Sequence, residues 1–242
     1  MMRSILKKIG GVLLPHYLRR TFQSWKILAF GYGHLRTCRR WECRDANGNP
    51  LPWYTYPAID YLRRLDTSGM RVFEYGCGFS TLFWAAKSKS VVSIEDNSEW
   101  FQKVKSSMPG NVSLHLIRDP DQYIHAINDK TVGTDELYDV IIIDAKHRNE
   151  TARAAIARVS PGGLLILDNS DWYPETATLL SASGFTRIDM IGFGPINSYT
   201  WCTSLFLKPG FRPNIIEGKL IGSIPCKAED DQPRVIPSVR HV

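Results

Sequence analysis

The stretch from Val72 to Thr81 constrains the fold of this chain more than any other part of its sequence. A short β-branched and aromatic run reaches Glu74, two glycines follow at Gly76 and Gly78, and an apolar helical pattern begins directly afterwards. This order predicts a strand that turns into a helix over a small ligand, because glycine permits a tight turn and the first N–H groups of a helix are free to face a ligand.

From this stretch onward, strand-like and helix-like segments alternate. Strands are predicted at 71–75, 91–95, 112–117, 139–144 and 163–168, and helices at about 80–88, 98–107, 121–128, 149–159 and 174–183. Such alternation predicts βαβ units in a parallel sheet with right-handed crossovers. The continuously apolar runs 140–143 and 164–167 are typical of central strands that are covered on both faces.

The pattern changes after Gly184. Two strand-like runs, 185–191 and 199–207, are joined by a loop too short for a crossover helix, so they should pair antiparallel. We therefore expect an α/β fold, a doubly wound and mostly parallel seven-stranded sheet that ends in an antiparallel hairpin.

Charge and composition divide the chain into three parts. Residues 1–44 hold ten Lys and Arg residues against Glu42 alone, and since the whole chain carries +6, the remainder is net −3. A mildly acidic net charge outside the first 44 residues is not typical of a nucleic-acid-binding fold. We expect a basic N-terminal helical leader at 1–50, one α/β domain at 51–208 and a Pro-rich tail at 209–242.

The leader itself carries one further pattern. Apolar residues recur at helical spacing between Arg3 and Pro15, which predicts a short basic amphipathic helix able to rest on an anionic membrane surface or on a partner protein. No run approaches the roughly 18 apolar residues of a membrane span. Lys7 and Lys8 interrupt any signal-like core, and five scattered cysteines fit a reducing compartment, so we expect a cytoplasmic protein whose leader can touch a membrane.

An acidic residue follows the second predicted strand. Glu95 lies seventeen residues after Gly78, where a carboxylate can accept both hydroxyls of a ribose, and this predicts a nucleoside-containing cofactor. Dinucleotide sites need Gly or Ala three residues after the second glycine. Thr81 occupies that position, which disfavours a dinucleotide such as NAD. Glu74 can pair with a ligand ammonium group, which favours a cofactor with an amino-acid part. An NAD-type oxidoreductase and a noncatalytic nucleoside-binding protein remain the alternatives.

The run 74–80, with Glu, Gly, Gly and Ser at every second position, resembles the first motif of class I S-adenosylmethionine-dependent methyltransferases. Glu95 resembles their second motif. The resemblance covers about residues 52–208, including the terminal hairpin, and implies their Rossmann-like fold. Ser80 belongs to the expected cofactor turn and stands where many members have glycine.

The resemblance also implies cofactor contacts. Glu74 would lie near the methionine amino group, Gly76 and Gly78 beneath the methionine and ribose, and Glu95 on the ribose hydroxyls. Asp119, after the third predicted strand, falls near the position where the family contacts adenine.

A second group of polar residues follows the fourth and fifth predicted strands. Asp144 ends one strand, and Asp168 and Asn169 end the next, so two carboxylates and an amide oxygen should converge as ligands for Mg²⁺ or another hard divalent cation. The pattern resembles the metal triad of cation-dependent O-methyltransferases that act on catechols and caffeoyl-CoA. Those enzymes use a lysine three residues past the metal-binding Asp to help deprotonate the hydroxyl, whereas here that position is His147 and a lysine precedes it at Lys146.

The resemblance implies direct in-line methyl transfer, with Asp144, Lys146 and His147 as candidate catalytic residues and a hydroxyl of a small molecule or sugar as the favoured acceptor. A peptide or amine acceptor stays open, and no nucleic acid is expected. Cation assistance stays open too, because an acid after the fourth strand can act without metal and the pair 168–169 can simply cap a turn.

Overall fold

A computed structural model describes residues 15–218 and residue 221 of the chain. Its strands are β1 Arg71–Tyr75, β2 Ser90–Glu95, β3 Val112–Leu116, β4 Tyr138–Ile143, β5 Val159–Asp168, β6 Thr186–Gly192 and β7 Trp201–Leu207. They form one sheet in the order β3-β2-β1-β4-β5-β7-β6. Strands β1 to β5 are parallel, and β7 runs antiparallel to both β5 and β6. The predicted α/β fold with a mostly parallel seven-stranded sheet and a terminal hairpin is confirmed.

Helices cover both faces of this sheet. They are α1 His16–Lys26, α2 His34–Arg40, α3 Tyr56–Arg64, α4 Phe79–Ala85, α5 Ser98–Lys105, α6 Pro120–His125, α7 Arg148–Ile156 and α8 Pro174–Ala182, with a π-helical turn at Ile27–Gly31 and a 3₁₀ turn at Ala126–Asn128. Two core clusters lie on opposite faces, and successive residues of β4 alternate between them. Ile142 belongs to one cluster, and Ile141 and Ile143 belong to the other. The run therefore has to be apolar throughout.

The strand register brings the ends of three strands to one edge. Tyr75 of β1 pairs with Ile143 of β4, and Ile143 pairs with Leu167 of β5. The residues that follow these positions therefore start side by side, at the carboxyl edge where open α/β sheets bind ligands.

The segment before the sheet packs onto it. Cys43 and Leu51 belong to the same core cluster, and the hydroxyl oxygen of Thr37 accepts a hydrogen bond from the backbone N–H of Ile196 at 3.0 Å. The sheet's core thus extends upstream of residue 51, the predicted start of the α/β domain.

The two ends of the described chain differ from each other. The predicted helix before Pro15 lies outside the described residues, and an unpredicted helix, α1, follows that proline. At the other end, Ile215 forms an antiparallel bridge to Leu65, while the tail from residue 222 onward lies outside the described part. None of the described helices is long and apolar enough to cross a bilayer.

Candidate active site

Steric contacts require glycine at the end of β1. Gly76 has φ +102°, and a Cβ added there would lie 2.6 Å from the carbonyl oxygen of Asp144. Gly78 has φ +153°, and a Cβ there would lie 3.4 Å from the ring of Trp100. The turn can therefore pass against the end of β4 only without a side chain at position 76. Gly78, two residues further on, is the glycine of this turn that lines a cavity.

Glu74 is buried beneath this turn. Its Oε2 accepts a hydrogen bond from Thr81 Oγ1 at 2.5 Å, its Oε1 accepts one from Ser80 Oγ, and Ser93 Oγ lies 3.1 Å from Oε2. Thr81 Oγ1 in turn accepts from the backbone N–H of Gly78 at 2.9 Å. Burial raises the pKa of Glu74 to about 7, against the opposing effect of these hydroxyl donors. The carboxyl group thus organises the turn, a role that the sequence did not predict for it.

Glu95 is held at the end of β2 by neighbouring groups. Its Oε1 accepts from the backbone N–H groups of Asp96 and Asn97 at 3.1 and 2.9 Å, and the thiol of Cys77 lies 3.3 Å from Oε2. Burial raises the pKa of Glu95. A carboxylate fixed this way keeps acceptor capacity on Oε2, which suits the predicted contact with ribose hydroxyls.

Asp119 has a local structural role. Its Oδ1 accepts from the backbone N–H of Gln122 at 2.9 Å and caps the N-terminus of α6, with Pro120 in the first turn. The structure does not bring Asp119 into the cavities described below.

A cavity of about 500 Å³ opens beside the glycine turn. Gly78 and Ser80 lie on one side of it, and Trp100 lies across the turn, where its Nε1 donates to the carbonyl oxygen of Cys77 at 2.8 Å. The segment before the sheet, residues 40–44, also lines this cavity. Its size is within the usual range for ligand sites. We call this cavity the cofactor cleft.

Asp144 faces a guanidinium group. Arg148, the first residue of α7, is buried, and its Nη2 lies 2.6 Å from Asp144 Oδ1 and 3.1 Å from Asn169 Oδ1. The guanidinium also lies over the ring of Tyr173, 4.4 Å from its centroid. Desolvation raises the pKa of Asp144, and Arg148 opposes that rise. Asp144 precedes α7, so the helical spacing rule does not apply to this pair, and the contact depends on the turn between β4 and α7.

Asp168 is turned toward β7. Its Oδ1 accepts from Trp201 Nε1 at 3.1 Å and from Thr203 Oγ1 at 2.5 Å. Burial, and next the charge of Asp144, raise the pKa of Asp168. Asn169 has φ +54°, a left-handed conformation that asparagine tolerates.

These contacts bear on the predicted metal triad. The structure does bring Asp144, Asp168 and Asn169 to one place, but the oxygens of two of them already accept from Arg148 and the Asp168 carboxylate accepts from β7. Within the described residues no group of three or more His, Cys, Asp or Glu side chains could hold a metal, and the predicted triad contains only two such side chains, with Asn169 as its third member. The Oδ1 atom of each of the three residues therefore already accepts a hydrogen bond, and a divalent cation at these atoms would have to displace the present donors.

The two predicted proton acceptors lie on the surface. Lys146 is exposed and its Nζ pairs with Asp96 Oδ2 at 2.9 Å, whereas His147 is exposed with φ +57° directly before α7. Neither side chain lines the cofactor cleft or the cavity beside it.

The second cavity, of about 280 Å³, adjoins Asp144. We call it the acceptor cavity. Its walls are aromatic and its polar groups are carboxyls and amides: Trp53, Trp172, Tyr199, Trp201, Asp144, Asp168, Asn169 and Asn197. Trp53 and Asp144 also line the cofactor cleft, so the two cavities meet at these side chains.

No family model and no curated protein sequence match the chain. Solved structures do match it. The O-methyltransferase TomG from Streptomyces achromogenes, involved in tomaymycin synthesis and solved with S-adenosylmethionine, has a TM-score of 0.52 at 15% identity, over 86% of this chain and 96% of its own. A putative O-methyltransferase from Klebsiella pneumoniae matches 58% of this chain and 74% of its own at 19% identity, with a TM-score of 0.48. A methyltransferase-like protein from Silicibacter pomeroyi matches 68% of this chain and 92% of its own at 17% identity, with the same TM-score.

At these identities the likeness establishes the fold alone. The chain has the fold of class I S-adenosylmethionine-dependent methyltransferases, which the glycine turn and the strand pattern predicted.

Proposed function

We propose that this chain, which has the class I methyltransferase fold, is an S-adenosylmethionine-dependent methyltransferase that acts on a hydroxyl of a small molecule or sugar. The position of Asp144 carries the proposal, because its side chain lines both the cofactor cleft and the acceptor cavity. A carboxyl group at that junction is placed to touch the acceptor where the methyl group arrives.

The cofactor cleft fits S-adenosylmethionine in several respects. Gly78 and Ser80 of the glycine turn line the cleft, and Trp53 and Trp100 provide flat apolar walls. The solved structure of TomG, with the same fold, contains this molecule. When bound, S-adenosylmethionine supplies a methyl group already activated on a sulfonium.

Asp144 is the proposed general base. Its raised pKa brings the carboxylate closer to the basicity needed at neutral pH. The acceptor oxygen forms the new C–O bond while the C–S bond breaks with its electron pair left on sulfur, and the acceptor proton passes to the Asp144 carboxylate. The protein aligns the hydroxyl in line with the C–S bond and assists proton loss. Arg148 holds the carboxylate in place.

Arg148, rather than a divalent cation, is the proposed positive charge of the site. Its guanidinium contacts both Asp144 and Asn169 and rests on the ring of Tyr173. A metal ion bound to Oδ1 of Asp144 and Oδ1 of Asn169 would have to displace this buried guanidinium from both atoms. We therefore propose transfer without a divalent cation, and no role of Lys146 or His147 in the proton step.

The acceptor cavity suits a flat molecule that carries hydroxyl groups. Trp172 and Tyr199 form a pair of rings whose centroids are 6.3 Å apart, and both are substantially exposed, so an acceptor can stack on them. Asn169 and Asn197 offer amide groups for hydrogen bonds to hydroxyls. A catechol-like ring and one face of a sugar both meet this description. The absence of a nucleic-acid substrate and a cytoplasmic location stay predictions.

Calorimetric titration tests the cofactor. We expect S-adenosylhomocysteine to bind the full chain and NADH not to bind. Binding of NADH without binding of S-adenosylhomocysteine would overturn the proposal in favour of an NAD-type oxidoreductase. Binding of S-adenosylhomocysteine, but no turnover of labelled methyl donor on any of a panel of catechols and sugar diols, would favour a noncatalytic nucleoside-binding protein.

The substitution Asp144→Asn tests the base. Removal of a general base costs roughly 10²- to 10⁴-fold in rate, and we expect a loss of that order with S-adenosylhomocysteine binding retained. Asp121→Asn, on the exposed surface of α6, is the matched control and should keep the wild-type rate. Full activity of Asp144→Asn would remove Asp144 from the proton step.

A further inference from the structure

Helix α1 presents an exposed apolar face. None of its eleven residues is buried, and the side chains of Tyr17, Phe22 and Trp25 are at least half exposed. Phe22 contacts Trp25 edge to face, and Trp25 contacts Phe30 of the π-helical turn in the same way, both with ring centroids 5.7 Å apart. A contiguous exposed aromatic cluster of this kind marks an interaction surface.

Basic residues border this apolar face. At roughly 100° per residue, the large apolar side chains between Tyr17 and Trp25 fall within an arc of about 140°. Arg19 and Lys26 lie beyond one edge of the arc and Arg20 beyond the other. Long basic side chains at such edges can lay their stems along an apolar layer and keep their charged ends in water or on phosphates.

Among the described residues, no ion pair neutralises the positive charge of this region. Residues 15–41 hold six Lys and Arg residues and no Asp or Glu. Across the described chain, none of these six makes an ion pair. Three of them, Arg36, Arg39 and Arg40, line a cavity of about 380 Å³ whose other side chains include Phe30.

We propose that α1, the π-helical turn and the arginine-lined cavity form a docking surface for a bilayer that contains anionic lipids. The aromatic side chains enter the headgroup region, where Trp and Tyr are favoured, and the basic side chains contact lipid phosphates. Aromatic and basic side chains lie on separate arcs of α1, which suits a layered surface better than a nucleic acid, where stacking and phosphate contacts are interleaved.

The docking surface adjoins the cofactor cleft. Arg40 lines both the arginine-lined cavity and the cleft, and the highly exposed Trp41 lines the cleft beside it. Docking therefore places the side of the cleft formed by Arg40 and Trp41 next to the membrane. The inference concerns α1 and its surroundings and does not depend on which acceptor, if any, is methylated.

Vesicle co-sedimentation of the full chain tests this proposal. We expect binding to vesicles of phosphatidylcholine with about 30% phosphatidylserine to be at least tenfold tighter than to pure phosphatidylcholine, because each basic residue near an anionic surface adds attraction. High salt should weaken the binding, since charges on the surface are screened. Equal binding to both vesicle types, or no binding to either, would overturn the proposal.

Two variants locate the surface. Phe22→Ser with Trp25→Ser removes the aromatic cluster, and Arg19→Glu with Arg20→Glu reverses two charges. We expect either to reduce binding to anionic vesicles at least tenfold, because the apolar and the electrostatic contributions are both needed for stable attachment. If both variants bound anionic vesicles as the wild type does, residues outside α1 would be responsible for membrane binding, which would contradict the proposal.

Matched controls separate these effects from general changes. Ile191→Ser removes an exposed apolar side chain on β6, and Lys89→Glu with Lys105→Glu makes the same change in net charge away from α1. Both should bind like the wild type.

Two further outcomes would identify another partner. If the wild type sediments as a dimer that Phe22→Ser with Trp25→Ser makes monomeric, a second copy of the chain covers the apolar face of α1. If a single-stranded RNA competes fully with anionic vesicles at lower concentration, the partner is a nucleic acid. Either result would overturn membrane docking.

Discussion

Nη2 of Arg148 lies 2.6 Å from Oδ1 of Asp144. The same nitrogen reaches Asn169, so one guanidinium joins the ends of β4 and β5 where the sequence predicted a metal ion. Arg148 is buried, whereas a quarter of the Asp144 side chain is exposed to the cavities. The pair thus leaves one side of the carboxylate available to an acceptor and holds the other side fixed.

We first predict strong coupling between these two side chains. In a double-mutant cycle of Asp144→Asn and Arg148→Met, the free energies of unfolding should show a coupling of about 1 to 3 kcal/mol. Asp144→Asn removes the negative charge opposite the buried guanidinium, and Arg148→Met leaves the Asp144 carboxylate without its cation. The exposed pair of Lys130 and Asp135, changed to Met and Asn, is the control and should show a coupling below about 1 kcal/mol. Additive effects at Asp144 and Arg148 would mean that the contact contributes little.

The second prediction concerns metal removal. With an acceptor identified from the diol panel, turnover should be unchanged by a chelator and by added Mg²⁺, because Arg148 already supplies the positive charge beside Asp144. Asp168→Ala should lower the melting temperature, since it removes the acceptor for Trp201 and Thr203 of β7. Loss of turnover in chelator that Mg²⁺ restores would reinstate the predicted metal site.

The third prediction is that Gly76→Ala lowers both the stability of the protein and its affinity for S-adenosylhomocysteine. A Cβ at this position meets the Asp144 carbonyl oxygen, and φ is in the left-handed region, so the variant should be destabilised by about 1 to 3 kcal/mol. It should also bind S-adenosylhomocysteine more weakly, because the turn must move. Gly69→Ala is the matched control: an added Cβ there meets nothing within 4 Å. Chemical denaturation and calorimetry check both variants, and wild-type stability of Gly76→Ala would contradict the steric argument.

The fourth prediction is a pH dependence of stability. Because burial raises the pKa of Glu74 from 4.5 to about 7, the folded state holds this proton more tightly than the unfolded state between those pH values. The contribution of Glu74 to the free energy of unfolding should therefore fall as pH rises from 4.5 to 7 and level off above, by up to about 3 kcal/mol. Glu74→Gln should flatten that fall in denaturation curves measured from pH 5 to 8.

Glu99→Gln on the exposed surface of α5 is the control for this pH dependence. It should follow the wild-type curve, because the change does not touch a buried carboxyl group. A Glu74→Gln curve parallel to the wild type would show that Glu74 ionises in the folded protein much as it does in the unfolded chain.

The sequence by itself determined the sheet and the turn. Strand and helix are local periodicities, so the apolar runs of β4 and β5 and the glycines after β1 indicated the parallel sheet and its ligand edge without knowledge of distant contacts. The antiparallel pairing of β6 and β7 followed from the short loop between them. The tight turn at Gly76 and Gly78 was predicted because glycine itself permits backbone conformations that other residues rarely adopt.

Only the tertiary structure decided what the polar side chains contact. Arg148 between two strand ends, Glu74 beneath three hydroxyls, and residues 40–44 lining the cleft all depend on segments that the fold brings together from distant parts of the chain. The residue type determines which ions a side chain can bind and which hydrogen bonds it can make. Several different partners can meet those requirements equally well. The packed chain selects among them, and at Asp144 it selects a guanidinium.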